Sequence, residues 1–238
     1  MPGNCVICSS MYLCDSRSYF NKYFHFLSVT QIFPHLTNMS LLESAKKGHQ
    51  PSTWNDMTAG TEVVLVKLTK GSQEYKSVMS KVNLRWMPEY GPEKIVRVQN
   101  PYLWGCYLLK KAECINRSGC SVTEKVLFHA TGQSNIDSIT KNNLDWRRSV
   151  RTKFGCGVSF SPSASYAETW CNRGIGCYRA LIVAKVLVGN SHGGGYGTEL
   201  PRAGCDTTVG NRGQVYVKYY DHEFYPEYVI YYDNDFVY

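Results

Sequence analysis

The segment Lys125-Val126-Leu127-Phe128-His129-Ala130-Thr131 takes a short apolar run into a histidine and then into two small residues. An apolar run of this length between polar residues predicts a buried β-strand over Lys125–His129. A neutral imidazole at the end of a strand offers one hydrogen-bond donor and one acceptor. Taken alone, a buried histidine is more often a satisfied structural residue than a ligand. The meaning of His129 therefore depends on the segments around it.

Further strands are predicted on both sides of this segment, with helices interposed between them. The predicted strands are Gly60–Thr69, Lys94–Gln99, Gly155–Phe160, Arg179–Val188, Gln214–Tyr220 and Glu227–Tyr232. The predicted helices are Ser72–Ser80, Tyr102–Cys114, Ser134–Lys141 and Ser163–Cys171, and Gly189–Gly213 is predicted to be a glycine-rich loop. Because the helices do not alternate regularly with the strands, the pattern predicts an α+β fold rather than a parallel βαβ sheet.

The composition favours β-rich architecture and an anionic partner. The 238 residues include 18 Tyr, 9 Phe and 5 Trp, which fit half-buried pleated surfaces. The formal net charge of +7 suits a phosphate-bearing ligand, an acidic protein or a nucleic acid. No block of five or more Lys and Arg residues occurs, so nucleic-acid binding by this chain is not favoured.

The 10 cysteines are predicted to be reduced thiols of a cytosolic or nuclear protein. The chain starts without a basic segment followed by an apolar run, and no apolar stretch is long enough to cross a membrane. Cys5 and Cys8 have half the spacing of a zinc knuckle, but Cys14, His25 and His35 complete no standard finger. We therefore predict no metal site. Residues 1–50 are interpreted as a divergent, poorly ordered extension, with a short helix within 15–33.

Several common catalytic motifs are absent from the sequence. No Gly-x-Gly-x-x-Gly follows a strand, no Walker-type phosphate loop is present, and Gly193–Gly195 is not followed by a helix. Neither His-Glu-x-x-His nor Gly-x-Ser-x-Gly occurs. These absences argue against a dinucleotide site of the Rossmann type, a zinc protease and a serine hydrolase.

Six segments within residues 54–232 occur in an order that matches a known family. They are Val98–Trp104, Leu127–Thr131, Asn143–Arg147, Phe154–Ser161, Ala180–Gly189 and Tyr225–Ile230. Together they resemble the catalytic domain of the poly(ADP-ribose) polymerase family, in particular its mono-ADP-ribosylating branch. The resemblance implies that residues 54–238 form an ADP-ribosyltransferase domain with two packed antiparallel sheets, flanking helices and an NAD cleft. It also implies transfer of ADP-ribose from NAD to a protein side chain, with release of nicotinamide.

The resemblance assigns the segment around His129 to NAD binding. His129 falls on the family's motif histidine, which hydrogen-bonds the NAD ribose. Ala130 replaces a glycine whose backbone N–H and C=O hold the nicotinamide amide, and alanine keeps both groups. Its methyl group is expected to crowd the cofactor, or to need a backbone angle that glycine tolerates better. Thr131 completes this part of the predicted cofactor-binding set.

The next two segments depart further from the family. Ser159 stands where a tyrosine packs against the nicotinamide ribose and forms the second member of the catalytic triad. Loss of a buried aromatic ring costs roughly 3–5 kcal/mol, so weaker NAD binding is expected. Trp170 replaces the tyrosine that stacks on nicotinamide, and it keeps a stacking surface. Ala167 replaces a serine that binds the carboxamide. Tyr166 matches a helix tyrosine of the family and is assigned to packing at the cofactor site.

The third triad position is predicted at Ile230, with Val229 as the alternative register. Chain-elongating members carry a glutamate at this position, and Glu227 does not fall there by period-two alternation. Since an apolar residue cannot act as a general base, the resemblance implies mono-ADP-ribosylation. Arg147 and Asp145 are assigned to the adenosine side of NAD, with a solvated charged turn as the equal alternative.

Two functional hypotheses follow from these departures. His129 and Trp170 favour an active transferase that uses NAD as its substrate, with no metal and with protein acceptors. Ser159, Ala130 and Ala167 favour a pseudoenzyme that uses the same fold for binding or scaffolding. A third hypothesis, an RNA-binding module, depends only on the net charge and the amino-terminal cysteines.

Overall fold

The structure is a computed structural model that describes residues 50–57, 61–82, 91–117, 122–149, 152–171 and 178–233. The sequence predictions for the amino-terminal extension, including the Cys5 and Cys8 pair and the helix within 15–33, lie outside these residues. No metal-binding group of three or more His, Cys, Asp and Glu side chains occurs in the described part.

Within the described residues, nine strands form two sheets. The strands are β1 Val64–Lys67, β2 Lys94–Gln99, β3 Thr123–Gly132, β4 Val158–Phe160, β5 Tyr178–Val188, β6 Ser191–Gly193, β7 Thr207–Gly210, β8 Val215–Lys218 and β9 Phe224–Asp233. The larger sheet has the order β1-β2-β9-β5-β3, and all its neighbours are antiparallel. The smaller sheet has the order β4-β8-β7-β6, in which β6 and β7 are parallel.

Four α-helices accompany these sheets in the described residues. They are α1 Gln73–Lys81, α2 Pro101–Asn116, α3 Ile136–Asn142 and α4 Ala164–Thr169. The Ser72 hydroxyl accepts the Tyr75 N–H at 3.1 Å, so Ser72 caps α1 at the predicted start of that helix. Pro101 is the first residue of α2, where its missing N–H costs no helical hydrogen bond. The residue at which the third helix is predicted to begin, Ser134, lies instead within a 3₁₀ turn, Gln133–Asn135, that precedes α3.

The main differences from the predicted elements lie in the smaller sheet. Gly189–Gly213, predicted to be a loop, carries β6 and β7, which are too short for a clear alternating pattern. The strand predicted over Gly155–Phe160 is confined to Val158–Phe160. Gly155 adopts φ +147°, a conformation that does not extend the strand. By contrast, the strand that carries His129 is longer than predicted because it pairs with β5 over its whole length.

Two buried clusters cover the two faces of the larger sheet. The first joins it to the smaller sheet and to α3, and its members include Val96, Ile182, Val229, Val158, Phe160 and Ile136. The second packs the other face against α1 and α4, and its members include Ile95, Leu181, Ile230, Val78 and Ala164. The predicted α+β architecture of two packed, mostly antiparallel sheets is therefore confirmed.

The two sheets also meet through hydrogen bonds beside His129. The Phe128 N–H donates to the Ser161 carbonyl at 2.7 Å, and the Ser161 N–H donates back to the Phe128 carbonyl at 2.9 Å. We call this pair the seam. Because Phe128 precedes His129 and Ser161 follows β4, the seam holds the middle of β3 beside the end of β4.

A buried ion cluster supports the smaller sheet. The Lys218 side chain is fully buried, and its Nζ lies 2.8 Å from Asp206 Oδ1, 2.8 Å from Thr207 Oγ1 and 3.2 Å from Glu223 Oε2. Burial raises the pKa of Glu223, against the opposing effect of Lys218. Burial also acts to raise the pKa of Asp206, but Lys218, the Thr207 hydroxyl and the Gly189 N–H together outweigh it, and the pKa is lowered. The cluster thus ties the start of β7, the end of β8 and the turn before β9 together.

Candidate active site

A cleft of about 1510 Å³ opens where β3, β4, α3 and α4 meet. Pockets for small ligands commonly measure roughly 300–1,000 Å³, so this cleft has room for a ligand of dinucleotide size. Its wall is completed by residues 143–149, 152–156 and 196–199, which belong to three connections between the elements.

The structure brings most of the predicted site residues to this cleft. Those that line it are His129, Ala130, Thr131, Asp145, Arg147, Ser159, Tyr166, Ala167 and Trp170. They come from four separate segments of the sequence, so their convergence is a property of the fold. Their individual roles toward NAD stay predictions.

His129 is fixed by a hydrogen bond to the strand that carries Ser159. Its Nδ1 lies 2.8 Å from the Ser159 carbonyl oxygen. Since a carbonyl can only accept, Nδ1 carries the proton and Nε2 keeps its lone pair. Burial lowers the pKa of His129, against the opposing effect of the Ser159 carbonyl. The ring is therefore a neutral acceptor at Nε2, oriented by the backbone of β4.

Ala130 does not need the backbone freedom of glycine. It lies within β3 opposite Leu181 and is not among the residues with positive φ. Backbone groups two residues apart along a strand point toward the same edge. Since the Phe128 N–H and C=O face the seam, those of Ala130 face the same edge of β3, beside the cleft. The expected backbone strain at Ala130 is therefore absent, and its N–H and C=O are directed as the prediction requires.

Tyr166 and Trp170 form the aromatic side of the cleft. Their ring centroids are 5.9 Å apart, and the Asn211 side-chain amide donates to the Tyr166 hydroxyl at 2.9 Å. The Trp170 residue is 55% exposed, so an indole surface faces the cleft. Tyr166 thus orients the aromatic wall, and Trp170 provides area for stacking on a planar group.

Ile230 is not brought to the cleft. It is fully buried in the cluster against which Ala130 and Ala167 pack, and it is not a cleft-lining residue. The alternative residue, Val229, is buried in the cluster on the opposite face of the sheet. Val215, the first residue of β8, does line the cleft. Of these three residues, the one that lines the cleft is therefore Val215, which the sequence interpretation missed.

The signal for Val215 was present in the sequence but was assigned to another strand. Both Val215–Lys218 and the later β9 combine β-branched and aromatic residues, and the resemblance was read on β9. In the structure β8, not β9, pairs with β4, with Val217 opposite Ser159. A residue meant to act beside Ser159 belongs on the strand that pairs with it.

One end of the cleft is charged. Asp145 Oδ1 accepts from Arg147 Nε at 2.7 Å and from the Arg147 N–H at 3.0 Å. Arg147 accordingly lowers the pKa of the Asp145 carboxyl. Asp221 lines the same cleft, and its charge contributes to raising the pKa of Arg147, after the larger effect of Asp145. The Arg147 side chain is well exposed, so its guanidinium is accessible to an anionic group.

The loop before β7 contributes residues that the sequence did not single out. Tyr196 and Glu199 both line the cleft, and both are exposed. The loop is held at two points: the Gly194 N–H donates to the Val209 carbonyl at 3.0 Å, and the Cys156 N–H donates to the Glu199 carbonyl at 2.8 Å. Glu199 is thereby attached to the segment that leads into β4.

The lowered pKa of His129 predicts a pH dependence of stability. In the unfolded chain a histidine titrates near 6.5, whereas the folded protein favours the neutral ring. Stability is therefore full above pH ~6.5 and falls as the pH drops through the lower folded value. We expect His129→Gln to flatten the fall in melting temperature between pH 7 and pH 5. His192→Gln, at a half-buried histidine outside the cleft lining, is the control variant measured alongside. Parallel curves for wild type and His129→Gln would contradict the burial of a neutral ring.

The described helices include none that is both long and apolar enough to cross a lipid bilayer. This observation covers the described residues alone.

An α+β fold of two mostly antiparallel sheets, with a cleft beside a strand-borne histidine, is the fold of an ADP-ribosyltransferase catalytic domain. The family model of the poly(ADP-ribose) polymerase catalytic domain matches residues 72–194. The chain therefore belongs to the poly(ADP-ribose) polymerase catalytic-domain family.

Relatives of known function agree with this assignment. Protein mono-ADP-ribosyltransferase PARP14 of Homo sapiens is 29% identical over 194 residues, which cover 76% of this chain and 11% of the relative. Protein mono-ADP-ribosyltransferase PARP12 of Homo sapiens is 32% identical over 180 residues, which cover 70% of this chain and 25% of the relative. Protein mono-ADP-ribosyltransferase PARP11 of Mus musculus is 27% identical over 162 residues, covering 59% and 49%. The chain thus spans less than half the length of each of these relatives.

Proposed function

We propose that this domain is an NAD-dependent protein mono-ADP-ribosyltransferase. It would transfer ADP-ribose from NAD to an acceptor side chain of a protein and release nicotinamide. The observation that carries the proposal is the Nδ1 hydrogen bond of His129 to the Ser159 carbonyl, which leaves Nε2 as an acceptor in a dinucleotide-sized cleft. A neutral acceptor held in one orientation suits a ribose hydroxyl.

The groups around His129 fit the other parts of NAD. The backbone N–H and C=O of Ala130 face the cleft edge of β3 and match the donor and acceptor of a carboxamide. Trp170 offers an indole surface to a planar ring. Arg147 offers a guanidinium to a phosphate or ribose at the charged end of the cleft. Bound here, NAD would supply a glycosidic bond to a good leaving group, and the protein would orient its ribose and limit access of water.

The third triad position has an apolar side chain, and this favours a single transfer of ADP-ribose over growth of a chain. Val215 lines the cleft and has no ionisable group, so it cannot take a proton from a ribose hydroxyl of a growing chain. Ile230, the position predicted from the sequence, is apolar as well, so the proposal of mono-ADP-ribosylation does not depend on which of the two residues is assigned. Protein acceptors and NAD are the proposed partners, and the names of the relatives support this choice.

A labelling experiment tests this function. We expect the purified chain, incubated with NAD labelled in the adenylate part, to attach label to protein. His129→Ala is expected to abolish labelling because the ribose loses its fixed acceptor. His192→Ala, a change at a histidine outside the cleft lining, serves as the matched control. Absence of label in the wild type, together with no shift in melting temperature on adding NAD, would rule the proposal out.

The second candidate is a pseudoenzyme that keeps the fold as a binding or scaffold module. It is favoured by two side chains in the cleft: Ser159 supplies no aromatic face to the ribose, and Ala167 supplies no hydroxyl to the carboxamide. An NAD-induced thermal shift without any label would support this candidate, because the cleft would then bind NAD without using it.

We also propose a cytosolic or nuclear location. Five cysteines in the described part, Cys106, Cys114, Cys156, Cys171 and Cys205, are free thiols. Free thiols are typical of reducing compartments. Fluorescence imaging of the tagged full chain tests the location.

A further inference from the structure

Three carboxylates line the cleft, and their surroundings differ. Asp145 is held by Arg147 at 2.7 Å and lies 3.9 Å from Arg148. Asp221 lies at the same charged end, near Arg147. Among the described residues, Glu199 has no ion-pair partner, and its side chain is exposed to the cleft. Asp221 has no ion-pair partner among these residues either, but its charge acts on Arg147, whereas Glu199 is joined through its carbonyl to the segment that leads to Ser159. Glu199 is therefore the unpaired carboxylate on the side of the cleft that leads to Ser159.

The backbone of Glu199 is held in place. Its carbonyl accepts the Cys156 N–H at 2.8 Å, and the preceding turn is closed by the Gly195 N–H, which donates to the Thr198 hydroxyl at 2.9 Å. Cys156 is separated from Ser159 by three peptide steps, about 10 Å of chain at most. The carboxylate thus belongs to a fixed turn on the wall that leads to Ser159 and His129.

Transfer to a hydroxyl group needs an acceptor for the hydroxyl proton, and neither the third triad position nor His129 is free to accept it. Val215 has no ionisable group, and the His129 ring is expected to be occupied by the ribose. A hydroxyl acceptor becomes a stronger nucleophile only when a base takes its proton in the transition state. A carboxylate acceptor would need no such base. The presence of an available carboxylate in the cleft therefore bears on the class of acceptor.

We propose that Glu199 is the general base of the transferase and that the acceptors are side-chain hydroxyl groups. The acceptor oxygen forms a bond to the anomeric carbon of the nicotinamide ribose as its proton passes to the Glu199 carboxylate. The bond from that carbon to the nicotinamide nitrogen breaks, and its electron pair leaves with nicotinamide. The proton then passes from Glu199 to water. This inference rests on the proposed function and adds the base and the acceptor class.

The test compares Glu199→Gln with the wild type in single-turnover labelling. General-base catalysis contributes roughly 10²–10⁴-fold, so we expect Glu199→Gln to transfer ADP-ribose at least ~100-fold more slowly. Its Kd for NAD is expected to stay that of the wild type, because glutamine keeps the size of the side chain. Glu199→Ala is expected to lose the same activity, and added formate, which fits the space that alanine leaves, is expected to restore part of its rate. Glu93→Gln, which removes an exposed carboxylate outside the cleft lining, is the matched control and is expected to label normally.

The chemical stability of the product tests the acceptor class. An ADP-ribose joined to a hydroxyl oxygen is expected to survive neutral hydroxylamine, whereas an ester on a carboxylate is cleaved. Hydroxylamine-labile label, ADP-ribose found on Glu199 itself by mass spectrometry, or Glu199→Gln labelling at the wild-type rate would each overturn the inference while leaving the proposed function intact. A wild type that neither labels nor responds to NAD would overturn both.

Discussion

Lys218→Met is expected to lower the free energy of unfolding by about 3–5 kcal/mol, the range for removing one partner of a buried ion pair. The substitution would leave buried Glu223 and partly buried Asp206 without the cation that lies within 3.2 Å of both. For a domain of this size the melting temperature should fall by roughly 6–20 °C. Thermal and urea unfolding, followed by circular dichroism, measure the change.

A lysine in an exposed pair provides the matched control. Lys141 and Asp137 are spaced i,i+4 on the surface of α3, and exposed pairs contribute about 0.5 kcal/mol or less. Lys141→Met is therefore expected to change the melting temperature by no more than about 2 °C. If both variants melt together, Lys218 does not hold the cluster. The double variant Lys218→Met with Glu223→Gln should recover part of the loss, since it removes one of the two unpaired carboxylates.

Ser159→Tyr is expected to tighten NAD binding by roughly 2 kcal/mol, or about 30-fold, because it restores an aromatic wall to the cleft. Ser159 is half-buried on β4, and its carbonyl already fixes His129. The backbone contact does not depend on the side chain, so the His129 geometry should persist in the variant. Isothermal titration calorimetry with NAD measures the affinity, and labelling measures the rate.

Two further variants separate the effect of the ring from other causes. Ser159→Phe should bring most of the gain in affinity, because the ring and not the hydroxyl provides the packing area. Ser80→Tyr adds the same side chain at an exposed position of α1 and should leave the affinity unchanged. An unchanged Kd for Ser159→Tyr would show that another residue already fills the ribose wall, and that the departure at Ser159 is not a defect.

The long strands of the larger sheet could be predicted because their patterns reflect burial. Arg179–Val188 is apolar almost throughout and is buried on both faces in the structure. The starts of α1 and α2 could be predicted from Ser72 and Pro101, whose effects are local. By contrast, β6 and β7 have three and four residues, and Gly193 and Gly210 weaken their pattern. Their pairing depends on contacts distant in sequence, which a local pattern does not contain.

A site residue could be predicted from the sequence where it belongs to a motif within one segment. The prediction failed where the residue's place depends on which strands pair. His129, Ser159 and Trp170 lie within contiguous motifs, and all three line the cleft. The third position depends on which strand lies beside β4, and two candidate strands have similar composition. The sequence therefore led to Ile230, whereas the fold brings Val215 to the cleft.

Buried charge could not be predicted from the sequence. Lys218 alternates with apolar residues in a way that suggests a solvent-facing side chain of an amphipathic strand. Its burial becomes understandable only with Asp206 and Glu223, which lie on either side of it in sequence and converge through the turns of the smaller sheet. Glu199 could not be predicted for the same reason, because its place in the cleft depends on a contact between its carbonyl and Cys156, which is distant in sequence.

The seam between Phe128 and Ser161 limits how this protein can admit a ligand. Two backbone hydrogen bonds join the sheets directly next to His129, so a scissor-like separation of the sheets would have to break both. The two sheets are therefore rigidly connected at the floor of the cleft, and no hinge lies there. Entry and exit must use the rim, where the turn bearing Tyr196 and Glu199 is held at Gly194 and at Glu199 but packs little in between. Exchange of substrate and product is then expected to depend on local movement of Tyr196 and Gly197, between the two held points, and not on movement of the whole domain.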